Sequence, residues 1–154
     1  MTTNERIFSD DVDLEFMKQV CCNTMVEHLG IEFMEVGPDY LVARMPVDHR
    51  TIQPLGLLHG GASVALAETL GSMAGWCCVN RATREVLGIE INANHVSGMR
   101  SGYVYGTASP VHLGRTTQVW EISIRDERRR MVCISRLTLA VREKETIQKE
   151  NRKT

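Results

Sequence analysis

Aromatic residues are scarce in this chain of 154 residues: three Phe, three Tyr and two Trp. So few leave no aromatic box to be read from the sequence, and with it no direct reading of what a pocket accepts. Charge of one sign is lacking too. The formal net charge is −1, which offers neither a broad basic field for nucleic acid nor an acidic one for cations, so a charged ligand has to be met locally. No apolar run reaches the roughly 18 residues of a membrane-spanning helix. The N-terminal MTTNERIFSDDVD is polar and acidic where a secretory signal starts basic and continues apolar. A cytoplasmic protein is expected, with no membrane and no nucleic-acid partner. The five cysteines occur as Cys21-Cys22, Cys77-Cys78 and a lone Cys133, without CxxC or a His/Cys grouping at zinc spacing. They read as reduced, mostly buried thiols, and no metal site is expected.

What is present fits one soluble domain with a core of its own, at 43% hydrophobic and 24% charged residues. The segment SDDVDLEFMKQVCCNTMVEHLG starts with the cap-type residues Ser9 and Asp10, carries acids in its first turn and ends at Gly30, which predicts one helix. IEFMEV and YLVARMPV flank the turn tripeptide GPD and read as a hairpin. Asp48 to Leu57, with Pro54 and Gly56, is a loop that leads into a second helix. Beyond Asn80 the period changes to two: Leu87, Ile89, Ile91 and Ala93 alternate with Gly88, Glu90, Asn92 and Asn94. Strand-like runs follow over 103–113, 116–126 and 131–142, the last two joined across ERRR. The polar tail EKETIQKENRKT is expected to fray. Two helices and six consecutive short strands argue for an α+β domain with an antiparallel sheet.

One stretch does not fit a purely structural reading. In QPLGLLHGGASVALAETLGS, residues 53–72, Glu68 stands among small and apolar residues of a helix otherwise suited to burial. At about 100° per residue, Leu66, Leu70, Met73 and Cys77 share one arc, while Gly61, Ala65, Glu68, Ser72 and Gly75 share the other. Small residues let a second backbone or a ligand approach closely. A carboxylate there would be partly desolvated, which raises its pKa from about 4.3 toward a range useful for proton exchange. At the start of the helix, His59-Gly60-Gly61 presents first-turn N–H groups and the positive end of the dipole, suited to an anion or a developing oxyanion. The bland readings are a loop exit at the glycines, a capping role for His59 and a solvated Glu68.

The runs TIQPLGLLHGGASVALAETLGSMAG, GIEINANHV and PVHLGRTTQVW together resemble the hotdog-fold acyl-CoA thioesterases with a helix-borne glutamate, the branch of 4-hydroxybenzoyl-CoA thioesterases and 1,4-dihydroxy-2-naphthoyl-CoA hydrolases. The resemblance divides the chain into an N-terminal helical segment (1–30), a hotdog domain (31–142) and a polar tail (143–154), with the first and last outside the shared core. It implies a long helix wrapped by an antiparallel sheet, dimers with a continuous sheet, and a homotetramer built as a dimer of dimers. By motif position, Glu68 corresponds to the catalytic acid, Gln53 and His59 to polar helpers at the thioester, Gly60 or Gly61 to the oxyanion donor, and Ser72 to a hydroxyl one turn beyond the acid. Glu68 then either activates water or attacks directly to give a mixed anhydride. His59 and Glu68 are nine residues apart, half a turn out of phase, so they would meet only through substrate or across a subunit interface.

For coenzyme A the resemblance points to Gly88, to His95, Val96, Ser97 and Gly98, and to His112, Leu113, Gly114, Arg115, Thr116 and Thr117. Coenzyme A enters as part of the substrate, and no separate cofactor is implied. Arg100 and Arg115 are candidate partners for the pyrophosphate, against the reading of ordinary strand ends and turns. Arg128-Arg129-Arg130 reads as a solvated hairpin tip in preference to a phosphate or nucleic-acid contact. Two rival functions share the fold: a hydratase or dehydratase, and an acyl-CoA-binding module without turnover. The joint presence of Gln53, His59 and Glu68 favours the hydrolase.

Overall fold

The computed structural model describes residues 6–145. The N-terminal segment forms α1 (Leu14–Cys21) and α2 (Met25–His28). The hairpin β1 (Glu32–Val36) and β2 (Leu41–Pro46) follows, then the long helix α3 (Gly60–Cys77). Four strands complete the chain: β3 (Arg84–His95), β4 (Tyr103–Leu113), β5 (Thr117–Asp126) and β6 (Met131–Glu143). The six strands form one antiparallel sheet in the order β1-β2-β4-β5-β6-β3. Alternation decides which face is covered. On β5, Gln118, Trp120, Ile122 and Ile124 are buried, and on β6, Cys133, Ser135, Leu137, Leu139 and Val141. Of these, Trp120, Ile122, Ile124, Cys133, Leu137 and Leu139 meet Leu66, Ala67, Leu70 and Ala74 of α3 in one core. This is the hotdog arrangement that the resemblance implies.

Three elements differ from the sequence reading. The single helix predicted up to Gly30 is two helices, and its N-cap is Asp13, whose carboxylate accepts from Phe16 N–H at 2.8 Å. The break falls where Thr24 Oγ1 donates to Cys21 O at 2.6 Å and accepts from Val26 N–H at 3.2 Å, while Asn23 takes a left-handed φ of 57°. Short polar side chains here offer the backbone an alternative to the helix ladder. The chain leaves α2 through Gly30, whose φ is 69° and against which the Arg50 guanidinium lies, both of which favour glycine there. In β3, a bulge between Gly88 and Glu90 shifts the alternation: Val86, Ile91 and Ala93 pack toward the core, and Leu87 and Ile89 are exposed. The start of the polar tail is tied down. Glu143 closes β6, and Lys144 donates from its backbone to Thr83 O at 2.8 Å and from Nζ to Arg81 O at 2.6 Å. The expectation of fraying for 146–154 lies outside the described residues.

The N-terminal segment shares the core, with Phe8, Val12 and Met17 buried in it. Phe16 stacks on Trp76 at 5.6 Å, and the Arg81 guanidinium lies over both rings while it binds Asp11. All five cysteines are free thiols; Cys21, Cys77 and Cys133 are buried and Cys22 is exposed. Burial pushes the Cys77 and Cys78 thiols up to about 12. Gly75 departs from its expected place on the open face of α3: it is buried, and a Cβ there would lie 2.3 Å from Leu139 Cδ1 and 2.5 Å from Gln118 Oε1. Met73, expected in the bulky stripe, is only partly buried. Gly75→Val should therefore overpack the contact between α3 and the sheet and cost about 1–3 kcal/mol, measured by denaturant unfolding.

Candidate active site

The loop from Asp48 to His59 is held as a closed unit. Arg50 bonds Asp48 through its guanidinium and backbone N–H, and holds the carboxyl down at about 2. Thr51 is buried, donates from Oγ1 to Pro46 O at 2.7 Å, and accepts on its carbonyl from His59 N–H at 2.8 Å. Gln53 N–H donates to Leu57 O at 2.8 Å, and Gly56 makes the turn with φ 72°. The Gln53 side chain accepts from Leu55 N–H on Oε1 at 2.5 Å. Its amide nitrogen makes no hydrogen bond among the described residues. Arg100 Nη1 donates to Leu55 O at 3.2 Å, so it ties the loop in this chain.

At the start of α3, His59 is the N-cap, and its Nδ1 accepts from Gly61 N–H at 2.8 Å. The capping role is thus real, and in the neutral ring it leaves the proton on Nε2, on an exposed side chain. Capping also separates the two glycines. Gly61 N–H is taken, whereas Gly60 N–H has no hydrogen-bond partner among the described residues. The His95 ring lies over Gly60, where a Cβ would sit 2.8 Å from Nε2.

Two turns on, Glu68 is exposed in the single chain and makes no hydrogen bond or ion pair among the described residues. The desolvation expected for it is therefore absent unless something covers this face. Its carboxylate lies on β3 beside the bulge: a Cβ at Gly88 would be 2.8 Å from Glu68 Oε1. Gly88 thus belongs with the acid in this chain. Ser72 is half-buried and makes no hydrogen bond to Glu68.

Eight of the predicted residues line two separate grooves. One, of about 320 Å³, brings Gln53 and Gly60 together with His95, Val96, Ser97 and Gly98. The buried Ser63 also lines it, although the sequence reading did not select it. The other, of about 310 Å³, holds Glu68 and Gly61 between α3 and α2. Met25, Val26 and Leu29, which line it, were read only as part of a helix; Thr24 followed three residues later by Glu27, the spacing of a capping box, was the signal that a new helix starts there. The remaining set, His112 to Thr117, forms the β4–β5 turn, where Gly114 N–H donates to Thr117 O at 2.9 Å. That turn and His95 lie at opposite ends of the sheet, because Thr117 pairs with Ala140 and His95 with Cys133. Within one chain the two segments do not meet. Arg128, Arg129 and Arg130 are an exposed tip, with Asp126 Oδ1 accepting from the N–H groups of Arg128 and Arg130.

The thioesterase superfamily profile matches residues 55–133, which span α3, β3, β4, β5 and the start of β6. The chain belongs to that superfamily. Among relatives of this thioesterase, the 1,4-dihydroxy-2-naphthoyl-CoA hydrolase of Escherichia coli is 50% identical over 135 residues, covering 88% of this chain and 98% of the relative. That stretch is longer than everything from residue 31 to the end, so the likeness reaches into the N-terminal helical segment. A solved Pseudomonas aeruginosa thioesterase carrying a Gln-to-Ala substitution has a TM-score of 0.88 at 46% identity, covering 90% of this chain and 99% of that one. A Staphylococcus aureus thioesterase, 33% identical, has been solved with a Glu-to-Ala and with a Gln-to-Ala substitution, fifteen residues apart. Those two structures cover 78% and 77% of this thioesterase and 99% and 98% of their own chains, with TM-scores of 0.76 and 0.74. The enzyme described here is a thioester hydrolase by membership of this family. Its helix cap makes a separable prediction: His59→Ala should lower stability by about 1 kcal/mol through loss of the cap, and His59→Asn should restore most of that, both measured by denaturant unfolding.

Proposed function

We propose that this thioesterase hydrolyses aromatic acyl-CoA esters in the cytoplasm as a homotetramer, a dimer of dimers whose active sites are shared between chains. The observation that carries the reading is the spacing along α3. Gly60, whose N–H is unengaged among the described residues, and Glu68 are eight residues apart, about 12 Å of helix rise. One thioester carbonyl polarised at Gly60 is out of reach of the same chain's Glu68, so the acid has to come from a second copy. The free edge of β3, twelve residues long with Leu87 and Ile89 exposed, supports that copy's place. A two-fold pairing along this edge runs antiparallel, so each sheet end lies beside the partner's opposite end. The His95–Gly98 and His112–Thr117 segments then border one site and are assigned to coenzyme A.

In that site the thioester oxygen lies at Gly60 N–H, with the Gln53 amide beside it. Either Glu68 takes a proton from water as the water oxygen bonds to the carbonyl carbon, or its own oxygen forms that bond to give a mixed anhydride that water then cleaves. The C–S bond breaks, coenzyme A leaves as the thiol with a proton that water supplies, and the acyl group is released as the free acid. Gln53 and Glu68 are fifteen residues apart, the spacing of the two positions substituted in the Staphylococcus aureus enzyme. The aromatic preference is supported by the name of the Escherichia coli relative and by the small entropy cost of binding a rigid ring. Five unpaired thiols suit a reducing compartment.

Glu68→Ala is expected to keep fold and assembly while kcat on benzoyl-CoA falls by about 10²-fold or more; turnover at the wild-type rate would refute the assignment. Mixing Glu68→Ala with Gln53→Ala chains tests sharing. After subunit exchange in equal amounts, the mixture recovers about a quarter of wild-type activity if the residues come from different chains, and none if both come from one.

A further inference from the structure

We propose that the acyl group of the thioester occupies the groove between α2 and α3, and that Met25 limits the size of acyl group accepted. The inference rests on the assignment of Glu68 as the acid and extends it to specificity. Glu68 stands in the wall of this groove, so a carbonyl within its reach has its acyl substituent beside the same wall. The rest of the lining is apolar apart from Thr69: Met25, Val26 and Leu29 on one side, Val64 and Ala65 on the other. The volume, about 310 Å³, is at the lower end of the range for small-molecule sites, ~300–1,000 Å³. It suits one ring or a short chain better than a long one.

α2 is built as a fixed wall, although it has only four residues. Its first turn is capped by Thr24, and Glu27 Oε2 accepts from Asn23 N–H at 2.8 Å. Its last turn closes through Gly30 N–H to Glu27 O at 2.9 Å and Ile31 N–H to Val26 O at 3.0 Å. Leu29 and Ile31 are buried and anchor it in the core. Among the apolar side chains of the groove, Met25 is the exposed one, at 64%, with an unbranched side chain that adapts to different occupants. It can therefore be changed without cost to the core. The larger cavity of about 640 Å³ between α1 and β1 is not lined by Glu68.

Wild type, Met25→Ala and Met25→Trp should be assayed with acetyl-CoA, benzoyl-CoA and decanoyl-CoA, with thermal unfolding as the check on fold. Relative to acetyl-CoA, kcat/KM for decanoyl-CoA should rise about tenfold in Met25→Ala and fall about tenfold in Met25→Trp, the low end of what one methylene does in an apolar pocket. Ratios within threefold of wild type in both variants would overturn the proposal. Glu68→Ala in the same panel keeps the two readings apart. If it is inactive on all three esters while the Met25 ratios stay flat, the groove assignment alone fails; if it is active, the catalytic assignment fails first.

Discussion

The close approach of α3 to the sheet governs the rest of the structure. Gly71 lies where a Cβ would meet Leu137, Gly75 where it would meet Leu139, and on the strand side Gly106 makes room for Leu70. Glycines on both surfaces let a leucine side chain of the opposite surface pack directly onto backbone, at the packing density of an interior. A helix seated that closely cannot slide by a fraction of a turn without losing every one of these contacts. Its seat therefore fixes the His95 ring over Gly60 at one end and the Glu68 carboxylate over Gly88 further on. Both halves of the candidate chemistry inherit their positions from packing that takes no part in it.

The seat is reinforced from outside the sheet. Phe16 on α1 and Trp76 on α3 stack, with the Arg81 guanidinium over both. Such contacts are worth about 0.5–2 kcal/mol each, depending on desolvation. They hold α1 against the end of α3, and the short link at Cys22 to Thr24 then turns the chain so that α2 stands beside Glu68.

Where the apolar period ran unbroken, the sequence was legible. The hairpin about Gly37, the strands β4, β5 and β6, and α3 follow from alternation, turn residues and helical spacing, and the acid on α3 could be singled out because it interrupted an apolar pattern. The misreadings have local causes. Thr24 breaks the helix by bonding its side chain to nearby backbone, with Asn23 in the left-handed region, which a periodic pattern does not register. The bulge in β3 reversed the facing of Leu87 and Ile89 with one extra residue. Gly75 was placed by angle on the open face, yet its lack of a side chain is what lets it lie against Leu139. The candidate site was legible as a set of residues but not as an arrangement. Spacing in sequence does not reveal that His95 and His112 end up at opposite ends of a sheet.

The floor beneath the Glu68 carboxylate is bare backbone at Gly88. Glycine is already the smallest residue, so every amino-acid substitution at this position adds atoms where the carboxylate rests, and none can remove any. Variation at Gly88 is consequently one-directional: it can push the acid outward by degrees, but it has no way to draw it deeper toward the sheet. A lineage that needed a more recessed acid would have to reseat the whole helix.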